Sequence, residues 1–144
     1  MRNLPIHQYF PSASELVYGC MGLGGSWDSE PITAEHVNQA HRAVDAALEA
    51  VINYFDHADI YGNYSAETLF GEALRAKPSL RGHMEIVSKC GIKLVSPSRP
   101  ANTIQHYDTS LEHILASCEN SLRELGTDYL DLLLIHRPDP LMDF

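Results

Sequence analysis

Four residues of unlike chemistry each stand at or just beyond the exit of a short apolar run. Asp56 closes Ile52-Asn53-Tyr54-Phe55-Asp56, and Tyr61 follows in the next turn. Lys89 closes Ile86-Val87-Ser88-Lys89, and His136 closes Leu132-Leu133-Leu134-Ile135-His136. A carboxylate, a phenol, an ammonium and an imidazole are groups that hold and move protons in active sites. Parallel strands in a sheet or barrel release their C-terminal ends on one side, where loops build the chemistry, so the four form one candidate site. Each residue alone has a plainer reading: a structural carboxylate, a loop aromatic, a solvated lysine, a satisfied histidine. Their order along successive strands favours the site.

The elements that must position them alternate. Residues 1–15 read as an N-terminal extension or short hairpin, and Leu16-Val17-Tyr18 as a short strand that breaks into Gly19, Gly22, Gly24 and Gly25. Thr33 is placed to cap a helix whose stripe is Val37, His41, Val44, Leu48 and Val51. The strand to Asp56 follows, then a helix from Ser65 to about Lys77 with Leu69, Phe70, Ala73 and Leu74 on one face and Pro78 beyond it. After the strand to Lys89, residues 91–107 read as a polar loop longer than a usual strand-to-helix link, which hints at function. Thr109 and Glu112 have capping-box spacing for a third helix with the stripe Leu111, Ile114, Leu115, Cys118, Leu122 and Leu125, and Gly126 stands where a left-handed residue ends it. Tyr129 to Ile135 is apolar apart from Asp131, which suits a strand covered on both faces. The order β-α-β-α-β-α-β requires right-handed crossovers and helices outside the strands.

Composition narrows the function. The chain has 144 residues, 44% hydrophobic and 20% charged, enough for one domain with a core. A formal charge of -9 and a pI near 5.2 argue against nucleic acid or an anionic membrane as partner. No run approaches the roughly 20 apolar residues of a spanning helix, and the N-terminus has no secretory core. Cys20, Cys90 and Cys118 form no paired framework, so a cytoplasmic location is expected. The glycines from Gly19 to Gly25 lack the register of a dinucleotide fingerprint. Trp27 either lines a pocket or covers core, and His41, His113 and Cys118 read as packing or surface residues. A metal-dependent barrel hydrolase built on Asp56, His57, Asp59, His136 and Asp139 is a weaker alternative: no H-x-H follows the first strand, and Lys89 would need another task.

At these residues the chain resembles the aldo-keto reductase superfamily, in its YdhF-like bacterial oxidoreductase branch. Phe55-Asp56-His57-Ala58-Asp59-Ile60-Tyr61-Gly62 is similar to the family's Asp-x-Ala-x-x-Tyr signature, Ile86-Val87-Ser88-Lys89-Cys90-Gly91 to its lysine motif, and Leu130-Asp131-Leu132-Leu133-Leu134-Ile135-His136-Arg137-Pro138-Asp139-Pro140 to its histidine motif. Gly19-Cys20-Met21-Gly22-Leu23-Gly24 resembles the turn after the first strand. The resemblance runs over about residues 15–144. It implies an α/β fold, the N-terminal half of a (β/α)8 TIM barrel with about four strands and three helices, and NADPH (or NADH) as cofactor at the C-terminal mouth. Tyr61 would protonate a carbonyl oxygen as hydride arrives, Lys89 would ease that proton off the phenol, Asp56 would pair with Lys89, and His136 would orient and polarise the carbonyl. Gly19, Cys20, Met21 and Asp56 would touch the cofactor; Trp27, Tyr61, His136 and Arg137 would touch a small aldehyde or ketone.

Two departures carry expectations. The family has glycine where Val51 stands, so either the turn differs or the helix end is strained. Strands five to eight, which hold most of the cofactor's contacts, have no counterpart, so residues 16–144 read as a partial barrel that stops after strand four. Such a half is expected to self-associate through its open edges. A catalytically incomplete half-barrel that binds or regulates is the alternative to an active reductase.

Overall fold

Short links between alternating strands and helices force successive strands to run the same way. The structure, a computed structural model describing residues 4–23, 27 and 30–138, has strands β1 (Val17–Gly19), β2 (Tyr54–Asp56), β3 (Glu85–Cys90), β4 (Ile92–Lys93), β5 (His106–Tyr107) and β6 (Leu132–Ile135). Helices α1 (Ala34–Glu49), α2 (Ala66–Ala76) and α3 (Leu111–Leu125) supply the crossovers. β1, β2, β3 and β6 form one parallel sheet in that order. The register puts Gly19, Asp56 and Val87 side by side, and Lys89 beside Leu134.

Alternation along β2 and β3 divides the sheet's two faces. Phe55, Ile86 and Ser88 turn outward beneath the helices and are fully buried, while Asp56 and Lys89 turn to the other face. Phe55 meets Phe70 of α2 edge-on at 5.0 Å between ring centroids. Val44 and Ala47 of α1, Leu69 of α2 and Leu125 of α3 complete this core. Among the described residues no helix is long and apolar enough to cross a membrane.

Several local expectations need correction. Residues 91–107 are not simply a polar loop: β4 and β5 pair within them as an antiparallel ladder, clamped by Lys93 Nζ on Asp108 Oδ2 at 2.6 Å. Ser110, not Thr109, caps α3, its Oγ accepting from the His113 N–H. Leu111 and Leu115 of the α3 stripe are exposed; the face turned inward carries Ser117, Ser121 and Leu125. Small residues belong there because α2 and α3 cross closely at Gly71, where a methyl group would overlap the Glu124 carbonyl. β6 is not covered on both faces, since it has β3 as its sheet neighbour and Leu134 is exposed. Ahead of β1, Pro5–Gln8 form a 3₁₀ turn.

Val51 settles the question at the end of α1. It is 78% exposed, outside the apolar stripe, and its φ is +62°. Ile52 N–H donates to Ala47 O and Val51 N–H to Leu48 O, the Schellman pattern that α3 repeats with Thr127 and Gly126 on Leu122 and Arg123. The turn is a Schellman motif and the helix end is strained, because a β-branched residue occupies a glycine conformation.

Candidate active site

β2 and β3 exit side by side, and backbone bonds tie their loops together: His57 N–H donates to Val87 O and Asp59 N–H to Lys89 O. This fixes Asp56 and Lys89 on one face, where Lys89 Nζ donates to Asp56 Oδ2 at 2.8 Å, to the His57 carbonyl at 2.8 Å and to Tyr61 Oη at 3.1 Å. An ammonium has three donors, and all three are used.

Tyr61 reaches the ammonium because of the turn that carries it. Its N–H donates to Ala58 O, and its carbonyl accepts from Ser65 and Ala66 at the start of α2. Gly62, Asn63 and Tyr64 all have positive φ, an abrupt left-handed passage into the helix. Tyr64 is held there by Leu94 N–H on its Oη and by Arg99 over its ring. Such conformations persist only where surroundings enforce them.

His136 follows β6 and is placed by its N–H on Cys90 O at 2.8 Å. Its ring meets Tyr61 edge-on at 5.7 Å. Burial, then the charges of Lys89 and Arg137, lower its pKa from the ordinary histidine value, which favours the neutral ring. Among the described residues its Nδ1 is buried without a partner. Trp27 lies edge-on to Tyr61 at 6.4 Å and is about half exposed. Arg137 is exposed beside His136.

The positions expected to touch cofactor separate. Among the described residues nothing beyond the chain neighbours lies within 4 Å of a Cβ placed on Gly19 or Gly22, and Met21 is exposed. Cys20 is fully enclosed, with its thiol in the core, and so does not face a ligand; burial, then Asp56, hold that thiol well above the usual range. Open glycine backbone and the exposed Met21 and Trp27 leave room beside the strand exits for a flat heteroaromatic ring. Gly24, Gly25 and Asp139 lie outside the described residues.

The hydrolase alternative needs Asp56 and His57 to converge, and they diverge. His57 is fully buried against Phe70, at 4.5 Å between ring centroids, and among the described residues no group of three His, Cys, Asp or Glu could hold a metal ion.

Two buried polar contacts were not legible in the sequence. Glu67 of α2 accepts from Ser88 Oγ at 2.6 Å. At the opposite end of the strands Arg81 donates to Met84 O, Tyr129 O, Thr127 Oγ1 and Asp131 Oδ2, and the same Asp131 oxygen accepts the Ile86 N–H. A glutamate on an amphipathic helix and an arginine in a 3₁₀ turn look solvated from sequence; the lone Asp131 in an apolar run was the available signal.

A parallel sheet whose strand exits gather an acid, a lysine, a tyrosine and a histidine defines an α/β enzyme class, and the sequence says which. The Aldo/keto reductase family model matches residues 15–144, and the chain belongs to that family. It is 59% identical over 100 residues to the oxidoreductase YcsN of Bacillus subtilis and 56% identical over 100 residues to the oxidoreductase YdhF of Escherichia coli, in each case 69% of this chain and 33% of the relative. The chain thus spans about a third of the length of these relatives. Among solved structures it is similar to a glycerol dehydrogenase of Gluconobacter oxydans (TM-score 0.75, 28% identity, 90% of this chain and 37% of that one). It is also similar to an aldo-keto reductase of Klebsiella pneumoniae in complex with NADPH (TM-score 0.62, 28% identity, 88% and 37%). The four strands and three helices are the N-terminal half of the family's (β/α)8 barrel.

Proposed function

We propose that this chain supplies the proton-handling half of an NADPH-dependent carbonyl reductase, acting on a small aldehyde or ketone. The observation that carries the reading is the contact of Lys89 Nζ with both Asp56 Oδ2 and Tyr61 Oη. A carboxylate keeps the half-buried ammonium charged, and the ammonium steadies the phenol's oxygen as its proton leaves. Tyr61 Oη gives that proton to the carbonyl oxygen. His136, neutral, donates a hydrogen bond from one ring nitrogen to the same oxygen as negative charge gathers there. A bound nicotinamide cofactor would supply the hydride to the carbonyl carbon. The product is the alcohol.

Gly19 and the exposed Met21 would border the cofactor, and Trp27 with Arg137 would flank the substrate. Three free cysteines suit a reducing, cytoplasmic setting. The half-exposed outer strands β1 and β6 are where the sheet would associate, with the rest of a barrel or with another copy. Loss of NADPH absorbance with a panel of aldehydes and ketones tests the reading. Turnover that requires the carbonyl supports it; a protein that neither binds NADPH nor oxidises it would contradict it.

A further inference from the structure

Resting on that reading, we infer that Glu67 is a positioning residue: through Ser88 it sets the distance between Tyr61 and Lys89.

The two partners ride on different elements. Tyr61 belongs to the start of α2, because its carbonyl accepts the Ser65 and Ala66 N–H groups at 3.1 Å each. Lys89 belongs to β3. Glu67 is the second residue of α2, and Ser88 is the residue directly before Lys89. The 2.6 Å bond from Ser88 Oγ to Glu67 Oε1 therefore ties the helix that carries the phenol to the strand that carries the ammonium. It lies on the outer face of the sheet, directly behind the 3.1 Å contact on the inner face.

The strut is buried. Ser88 is fully enclosed and Glu67 is 5% exposed. A bond in such surroundings is stronger than in water, and leaving it unmade is correspondingly costly. Burial also raises the Glu67 pKa. Ser121 of α3 approaches the same carboxyl without closing a bond of normal geometry. A leucine of similar size would pack α2 on β3 well enough. What it would lose is directional control over the sliding of α2 along the strand, the coordinate that separates Tyr61 from Lys89.

The test needs a readout that packing alone does not move. The Lys89 ammonium is followed by nitrogen NMR, assigned by its disappearance in Lys89→Met. In the parent its resonance is expected to be resolved, because every donor is bonded. Glu67→Leu should lose or broaden that resonance while near-ultraviolet circular dichroism stays native, and Glu67→Gln, which keeps an acceptor for Ser88, should restore it. Ser88→Ala removes one oxygen and serves if Glu67→Leu does not fold. In turnover Glu67→Leu and Ser88→Ala should lower kcat by up to ~10²-fold with KM held, as a misplacement of about 1 Å does, and Glu67→Gln should stay near the parent. A Lys89 resonance unchanged in folded Glu67→Leu and Ser88→Ala would overturn the inference. Absence of turnover in the parent would count against the reductase reading alone, and the NMR result would still decide the role of Glu67.

Discussion

The same sheet carries two ion pairs, one at each end, and they differ in how closely the fold encloses them. At the N-terminal ends of the strands Arg81 and Asp131 are 2.8 Å apart with side chains 11% and 15% exposed. Arg81 spends its donors on two backbone carbonyls, a threonine and Asp131, and stacks on the Tyr129 ring at 3.6 Å. At the C-terminal ends Lys89 and Asp56 are also 2.8 Å apart, but the carboxylate is 32% exposed. There the third donor goes to Tyr61, a group with chemistry of its own. The lower pair is closed and pins the entry of β3 to that of β6. The upper pair is left open on one side. In barrels, residues at the N-terminal face serve stability and those at the C-terminal face serve reaction.

The comparison predicts a crossed pattern. Lys89→Met should lower turnover by ~10²–10⁴-fold, the range for loss of assisted proton transfer. Its effect on stability should be smaller than that of breaking the lower pair, since Asp56 stays within reach of water. Arg81→Met should destabilise by about 3–5 kcal/mol, the usual result of stranding one member of a buried pair. Urea denaturation measures it. Equal stability losses from Lys89→Met and Arg81→Met would break the contrast.

A pH signature belongs to the upper pair's surroundings. Complete burial, reinforced by the nearby Lys89 ammonium, pushes the His57 pKa from 6.5 down to about 3. The unfolded chain therefore takes up a proton on this ring that the folded chain refuses, so His57 lowers stability as pH falls from about 6.5 to about 3. His57→Phe removes that penalty. Relative to the parent it should gain about 1.4 kcal/mol per pH unit across the window, measured by denaturation at a series of pH values. A constant difference would mean that the imidazole is not held neutral.

The smallest effect lies at the helix ends. Val51→Gly should stabilise by about 1 kcal/mol by relieving a left-handed valine. Gly126, with φ +69° in the same hydrogen-bond pattern, already has the residue that the turn prefers. A thermal melt compares them.

What was legible follows from this division. Asp56, Tyr61, Lys89 and His136 were readable because each is a distinctive residue at or near a strand exit, and exits are set by short-period patterning. The Val51 anomaly was readable for the same reason: local geometry demands glycine there. Arg81, Asp131 and Glu67 were not, because their partners come from other elements and helix or turn position says nothing of burial. The α3 stripe was right at Leu125, which is buried, and wrong at Leu111 and Leu115, which hydrophobic periodicity favours but the structure exposes. The close crossing at Gly71 instead selects Ser117 and Ser121 for the interior. The β4–β5 ladder is two residues per strand, too short to leave a pattern.

The most direct test of the upper pair's purpose is Tyr61→Phe, with NADPH binding and carbonyl-dependent NADPH oxidation measured side by side. If Tyr61 Oη delivers the proton, oxidation falls by ~10²–10⁴-fold while NADPH affinity stays close to that of the parent. Turnover retained within about tenfold, less than any general acid contributes, would contradict the assignment of the Asp56–Lys89–Tyr61 cluster as the reaction's proton source.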